Sequence, residues 1–211
     1  MARPRQGLLT RQRIVETAGL LIDAEGLDAL SARRLAAELG VQGPSLYNHV
    51  ATMGEILDDV ADAVIAQIDV SAFGRHDWRV ALRLWARSYH DVLSAHPNIV
   101  PVLAQGPGRR PAALAMADAV YGGLLDAGWP EARATHIGAL MRYLVTGSAL
   151  GSFALGFAED PQLYARYPHL RRAHLLAEHQ HSVDEGAFTL GLDLLIAGLD
   201  RLYTSLKGVP A

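Results

Sequence analysis

Four side chains in one short stretch have the types and spacing to hydrogen-bond an outside partner. In 43-GPSLYNHV-50, Ser45, Asn48 and His49 stand three and four residues apart, so on a helix they share one face. Each can donate or accept, and none is long or acidic. Tyr47 lies off the inward-facing pair; either its hydroxyl reaches a phosphate or its ring packs at the helix edge. Upstream, Arg33 and Arg34 fall in the first turn of a preceding helix. Cations there oppose the helix dipole by several tenths of a kcal/mol. A phosphate near that helix start would offset the mismatch; the alternative is two solvated surface arginines. Such a set can offer donors and acceptors to base edges in a groove and hold the flanking phosphates.

Other chemistry has less footing. His90, Asp91, His136 and Tyr143 could serve an enzyme, but no Ser-His-Asp, metal or phosphate-loop spacing joins them. The stretch 169-HLRRAHLLAEHQHS-182 puts His174 and Glu178 four apart, with arginines interleaved that argue against cation binding. A solvated surface helix, or the border of a pocket, fits it better. No catalytic residue, metal or cofactor is expected.

The elements that position Ser45, Asn48 and His49 follow from apolar spacing and punctuation. Apolar residues recur at three and four throughout, and nothing reads as a strand. Ile14, Ala18, Leu21 and Ile22 line a first helix, capped by Thr10 and ended by Gly26. Ser31 caps a second, with Leu35 and Leu39 inward. Gly40 is a natural stop, Val41 a plug between helices, and Pro44 suits the first turn of a new helix. That third helix is only about two turns long, too short to stand alone in water. It survives if Leu46 and Val50 pack on Leu35, Leu39 and the first helix, which frees the opposite face. The arrangement is a helix-turn-helix. Ile56, Leu57, Val60, Val64 and Ile68 line a fourth helix. After the punctuated 71-SAFGRHD-77, longer helices are expected at 77–95, 111–127, 131–157 and 184–206. The fold class is all-α: an N-terminal domain over 1–72 and a larger helical domain over 73–211.

Bulk properties agree. The chain has 211 residues, half of them hydrophobic, no cysteine and a net charge of −3. That suits a cytoplasmic protein with a sizeable core and no disulfides. The basic start, with Arg3, Arg5, Arg11 and Arg13, has no apolar stretch behind it and is not a secretory signal. It could form a local basic patch on a mildly acidic protein. The uncharged run 143–158 holds Gly147, Gly151 and Gly156. It is too short to span a membrane, which takes about 20 apolar residues, and reads as a buried helix.

The block from Leu9 to about Val64 resembles the tetracycline-repressor (TetR) family of bacterial regulators. The carriers are a first helix ending in "EG", then "LSARRLAAELGV", "GPSLYNHV" and an amphipathic fourth helix. The resemblance implies an all-helical homodimer that represses promoters, with double-stranded operator DNA and a small-molecule effector as partners and no membrane. By position, Arg33, Gly43, Pro44, Ser45, Tyr47, Asn48 and His49 fall on DNA-contacting sites. Two departures bear on which operator is read. Met53 stands where the family often has a phosphate-binding lysine, so Thr52 instead caps the fourth helix and offers its hydroxyl or an amide. Gly43 replaces a side chain that many relatives carry. The later part is less similar, and Gly151 stands where a magnesium–tetracycline site would need its glutamate; tetracycline is not the expected inducer.

Two late helices carry a dimer signal. Gly147 and Gly151 let another helix approach, and Leu192, Leu195, Leu199 and Leu202 repeat with Phe188 as an apolar stripe. Either these form a two-fold four-helix interface or both helices are internal. Trp85, Tyr89, His90, Tyr121, Tyr143 and Phe153 either line a ligand pocket with a few polar handles or are plain core. The leading expectation is a ligand-responsive repressor. An enzyme on a helical scaffold and a helix-turn-helix used for protein contact are the other classes. Steep salt dependence of duplex binding would separate the first from the last.

Overall fold

The computed structural model describes residues 8–106 and 108–207. Arg3, Arg5 and Pro107 lie outside the described residues. All regular elements among them are helical: α1 Arg11–Glu25, α2 Ala32–Leu39, α3 Gly43–Leu46, α4 Met53–Ile65, α5 Trp78–Ala95, α6 Val100–Leu103, α7 Pro111–Asp126, α8 Glu131–Ala149 and α9 Gln180–Lys207, with short 3-10 turns between some of them. No described helix is long and apolar enough to cross a membrane. The chain divides into two compact units. One runs to Ile68 and takes in Val92–Met116; the other holds Asp69–Asp91 and the chain from Ala117 on.

In the first unit the helix ends are set by caps. The Thr10, Ser31 and Thr52 hydroxyls accept the N–H of Arg13, Arg34 and Glu55, at 3.2, 3.2 and 3.1 Å. Each satisfies a donor that a helix start leaves orphaned. The α2 stop is a Schellman turn: Gly40 sits at φ +70°, its N–H reaches Ala37 O and the Val41 N–H reaches Ala36 O at 2.9 Å. Pro44 then opens α3. Regular α-helix lasts one turn there rather than the expected two. Residues 47–50 continue as hydrogen-bonded turns, with the Tyr47 N–H on Pro44 O and the His49 N–H on Leu46 O. So short an element has few ladder bonds of its own, and burial holds it: Leu46 is 0% and Val50 3% exposed. The segment 92–116 is pinned to α1 and α4. Asn98 donates to Ile22 O at 2.8 Å, His96 meets Asp23 at 2.9 Å and Arg110 donates to Asp58 at 2.8 Å. The Asp62 carboxylate accepts the Ala112 N–H at 2.8 Å, acting as a remote cap on the start of α7.

In the second unit α5 and α9 run antiparallel. Arg79, Arg83 and Arg87, one on each turn of α5, meet Asp200, Asp193 and Glu185 in that order. Trp78, Trp129 and Tyr203 form a ring cluster, with Trp78 edge-on to Trp129 at 5.1 Å. The Tyr203 hydroxyl donates to Ala127 O at 2.6 Å. Two glycines permit close crossings. A Cβ on Gly138 would lie 2.6 Å from the Tyr121 ring, and one on Gly191 3.0 Å from Leu144.

Two expected elements differ. The helix expected over 131–157 ends at Ala149, and a 3-10 turn follows at Ala154–Gly156. The Phe153 N–H donates to the Asp184 carboxylate at 3.1 Å, so the chain has left the helical ladder by then. The uniformly apolar run carried no mark of that exit. The stretch 169–182 is not one surface helix either. It forms turns and two 3-10 segments, Ala173–Leu175 and Ala177–His179, before α9 starts at Gln180.

Candidate functional site

The turn between α2 and α3 brings the hydrogen-bonding set to the surface. Tyr47 is 50% exposed, Pro44, Asn48 and His49 are exposed, and Ser45 and Gly43 are half-buried. A Cβ at Gly43 would meet nothing within 4 Å, so the missing side chain there leaves open surface, not a filled contact. Gln42 belongs beside this set and was not singled out from sequence. It is exposed, takes the N-cap position of α3 and makes no capping bond with its side chain. Its place directly before Gly43 and Pro44, three residues ahead of Ser45, was the available signal.

The arginines divide. Arg34 is tied to Glu25 and Glu38 at 2.7 Å each, and Glu25 first, then Glu38, holds its guanidinium above the ordinary range. It clamps the end of α1 to α2. Arg33 is exposed and takes part in none of the ion pairs found among the described residues. Arg11 pairs with Glu55 at 2.6 Å and Asp59 at 2.7 Å, and Asp59 first, then Glu55, raises its pKa. It is therefore a brace between α1 and α4, not a bare member of a basic patch.

The α4 start carries its own anion. Glu55 accepts the Ala51 N–H at 2.6 Å. That bond first, and Arg11 second, keep its carboxyl below the usual range. The exposed Thr52 hydroxyl spends a lone pair on the Glu55 N–H and keeps its proton to donate. A carboxylate already occupies the favourable end of the dipole, which leaves the hydroxyl rather than the helix amides to meet a phosphate.

The six aromatic and histidine positions of the second unit separate by depth. Trp85 and Tyr89 are buried, their rings 5.9 Å apart on α5. His90 stacks on Phe188 at 3.9 Å. Burial first lowers its pKa, against the opposing pull of Glu185 and Asp91 and with a smaller push from Arg87. Tyr121 is half-buried over Gly138. Tyr143 and Phe153 do not join them, each being 67% exposed. Tyr143 lies on the outer face of α8, and Phe153 follows the early end of that helix, edge-on to Phe157. The Nε1 of Trp85, Nδ1 of His90 and Oγ1 of Thr146 are buried without a hydrogen-bond partner among the described residues, though Glu185 and Asp91 lie 3.9 and 4.0 Å from the His90 Nδ1. Thr146 was missed from sequence because a lone threonine in an apolar run carries no signal.

The apolar stripe of α9 divides by burial. Leu192 and Leu199 are buried in their own unit and Leu195 and Leu202 partly so, while Leu190 and Leu194 stand about 60% clear at 60% and 62%. A side chain buried in its own chain offers no surface to a second copy. The helix has apolar residues on both faces, and periodicity alone does not tell which faces inward. Gly147 and Gly151 are exposed, with open space over each.

Known proteins match this chain along most of its length. Residues 72–203 match the family model described as tetracyclin repressor-like, C-terminal domain. The chain is 31% identical to the class C tetracycline repressor protein of Escherichia coli, over 95% of each. It is 30% identical to an HTH-type transcriptional regulator of Saccharopolyspora erythraea, over 82% of this chain and 69% of that one. Among solved structures, ActR of Streptomyces coelicolor in complex with actinorhodin superposes with a TM-score of 0.73 at 31% identity, covering 92% of this chain and 97% of the other.

Proposed function

The chain belongs to the tetracycline-repressor family of transcriptional regulators, and on that premise we propose that it is a ligand-responsive repressor binding a near-palindromic operator as a homodimer in the cytoplasm. The observation that carries the reading is a polar set, Tyr47, Asn48 and His49, held out to solvent by a fully buried Leu46. Residues 1–72 are the DNA-binding domain and 73–211 the effector and dimer domain. Ser45, Asn48 and His49, with Gln42, meet base edges. Arg33, Tyr47 and the Thr52 hydroxyl meet phosphates, while Gly43 and Pro44 let the backbone come close. Two such heads set about 34–36 Å apart read successive major grooves on one side of the duplex.

The dimer forms through the outward faces of α8 and α9. Leu140, Tyr143, Leu190 and Leu194 are exposed there, and Gly147 and Gly151 give room for close approach. The effector sits among Trp85, Tyr89, His90 and Tyr121, with Thr146 as a further polar handle. Relatives support an aromatic ligand: ActR was solved with actinorhodin and a tetracycline repressor variant of Acinetobacter baumannii with minocycline. Ligand acts by favouring a dimer whose heads are misplaced for the operator, which requires unequal affinity for the two states.

The test is a mobility shift on duplexes flanking the coding sequence, at two salt concentrations, beside a Tyr47→Ala, His49→Ala double variant. One near-palindrome should bind, weaken steeply with salt and lose at least about tenfold in the variant, as two lost contacts of ~1 kcal/mol or more imply. Equal, salt-insensitive behaviour of both proteins on every duplex would favour the protein-contact class.

A further inference from the structure

We infer that the groove between α1 and α4 in the first unit is a binding site for small amphiphilic cations, an apolar body carrying one amine. It is open to solvent along one side and offers about 450 Å³, room for a small molecule on the scale of roughly 300–1,000 Å³ typical of such sites. Its accessible apolar lining is Val15, Gly19, Leu20 and Ala63, set over a floor of Ile22, Val60, Val64 and Ile99, which are all 5% exposed or less. Gly19 on α1 and Ala63 on α4 line it with little side chain of their own, and a Cβ on Gly19 would stand in ordinary van der Waals contact with Val60, at 3.8 Å. Leu20, 70% exposed, forms an apolar lip at its edge.

The rim gives the ligand its charge. Glu16 and Asp23 line the α1 side, and Gln67 and His96 line the other. No lysine or arginine appears among the described lining residues. His96 is engaged with Asp23 at 2.9 Å and faces Gln67 at 3.5 Å. Glu16 accepts from the neutral Gln12 amide at 2.8 Å. An amine seated over the floor meets carboxylate on the α1 side, and a carboxylic acid of the same shape meets repulsion. The groove is separate from the effector residues of the second unit and independent of whether they bind anything.

The probes are 1-naphthylmethylamine and 1-naphthaleneacetate, titrated calorimetrically into the full chain. Glu16 and Ala63 are exposed, so substitutions there leave the core intact, which circular dichroism checks. The amine should saturate and bind at least tenfold tighter than the acid. Glu16→Gln should weaken it about three- to fivefold, the size of an exposed ion pair, and Glu16→Lys should reverse the preference. Ala63→Trp, which fills the groove, should abolish binding. Equal binding of amine and acid, or an unchanged amine affinity in Ala63→Trp, overturns the assignment.

Discussion

In the first unit Thr10, Ser31 and Thr52 each fix a helix start by accepting an N–H three residues on. In the second, Arg79, Arg83 and Arg87 reach acids 121, 110 and 98 residues away. The helix starts of the first unit are fixed by neighbours in the chain, with remote clamps added around them; the α5–α9 pairing of the second depends on side chains that meet only after folding. Elements specified locally can be short and still be well placed, as α3 is. Elements specified remotely need length, and α5 and α9 have it.

The largest test of this contrast is Leu46→Ala. Removing a fully buried leucine from a one-turn element should cost about 2–5 kcal/mol. Amide exchange should accelerate across α1–α4 and leave α9 protected; equal loss in both units would erase the distinction between them. Next is Gly40→Ala, which forces a Cβ into the left-handed region at φ +70°. It should lower stability by about 1–2 kcal/mol, read as a drop in the melting temperature.

Smallest is Arg87→Met. Its pairing with Glu185 is about one-third exposed on either side, so the loss should stay below about 1 kcal/mol. The variant has a sharper readout at His90. Burial lowers the pKa of His90, and Arg87 adds to that, so the unfolded chain binds more protons near its ordinary value of about 6.5. Stability therefore falls as pH drops through the window below that value. Without Arg87 the imidazole should titrate higher, followed by its proton NMR shift, and the acid-side loss should shrink.

Legibility in the sequence followed the same divide. The caps at Thr10, Ser31 and Thr52, the stop at Gly40 and the inward pair Leu46 and Val50 were all readable, because each is decided within a few residues. So were the starts of α5 and α7. The end of α8 was not, because the bond that receives the Phe153 N–H comes from Asp184, far along the chain. Nor was the inward face of α9, where Leu192 and Leu190 differ in burial but not in type. Arg34 and Arg11 looked like free cations because their acids, Glu25 and Asp59 among them, are brought near only by tertiary packing.

The three α5 arginines are evenly pitched, about 6 Å apart along the axis, whereas their acids on α9 are spaced by roughly 10.5 and 12 Å, at 1.5 Å per residue. The long arginine stems absorb the differences of about 4.5 and 6 Å, fanning outward from Arg83 along α9 like struts from one post. Sliding α5 by a helical turn would leave the arginine at one end with no acid opposite it.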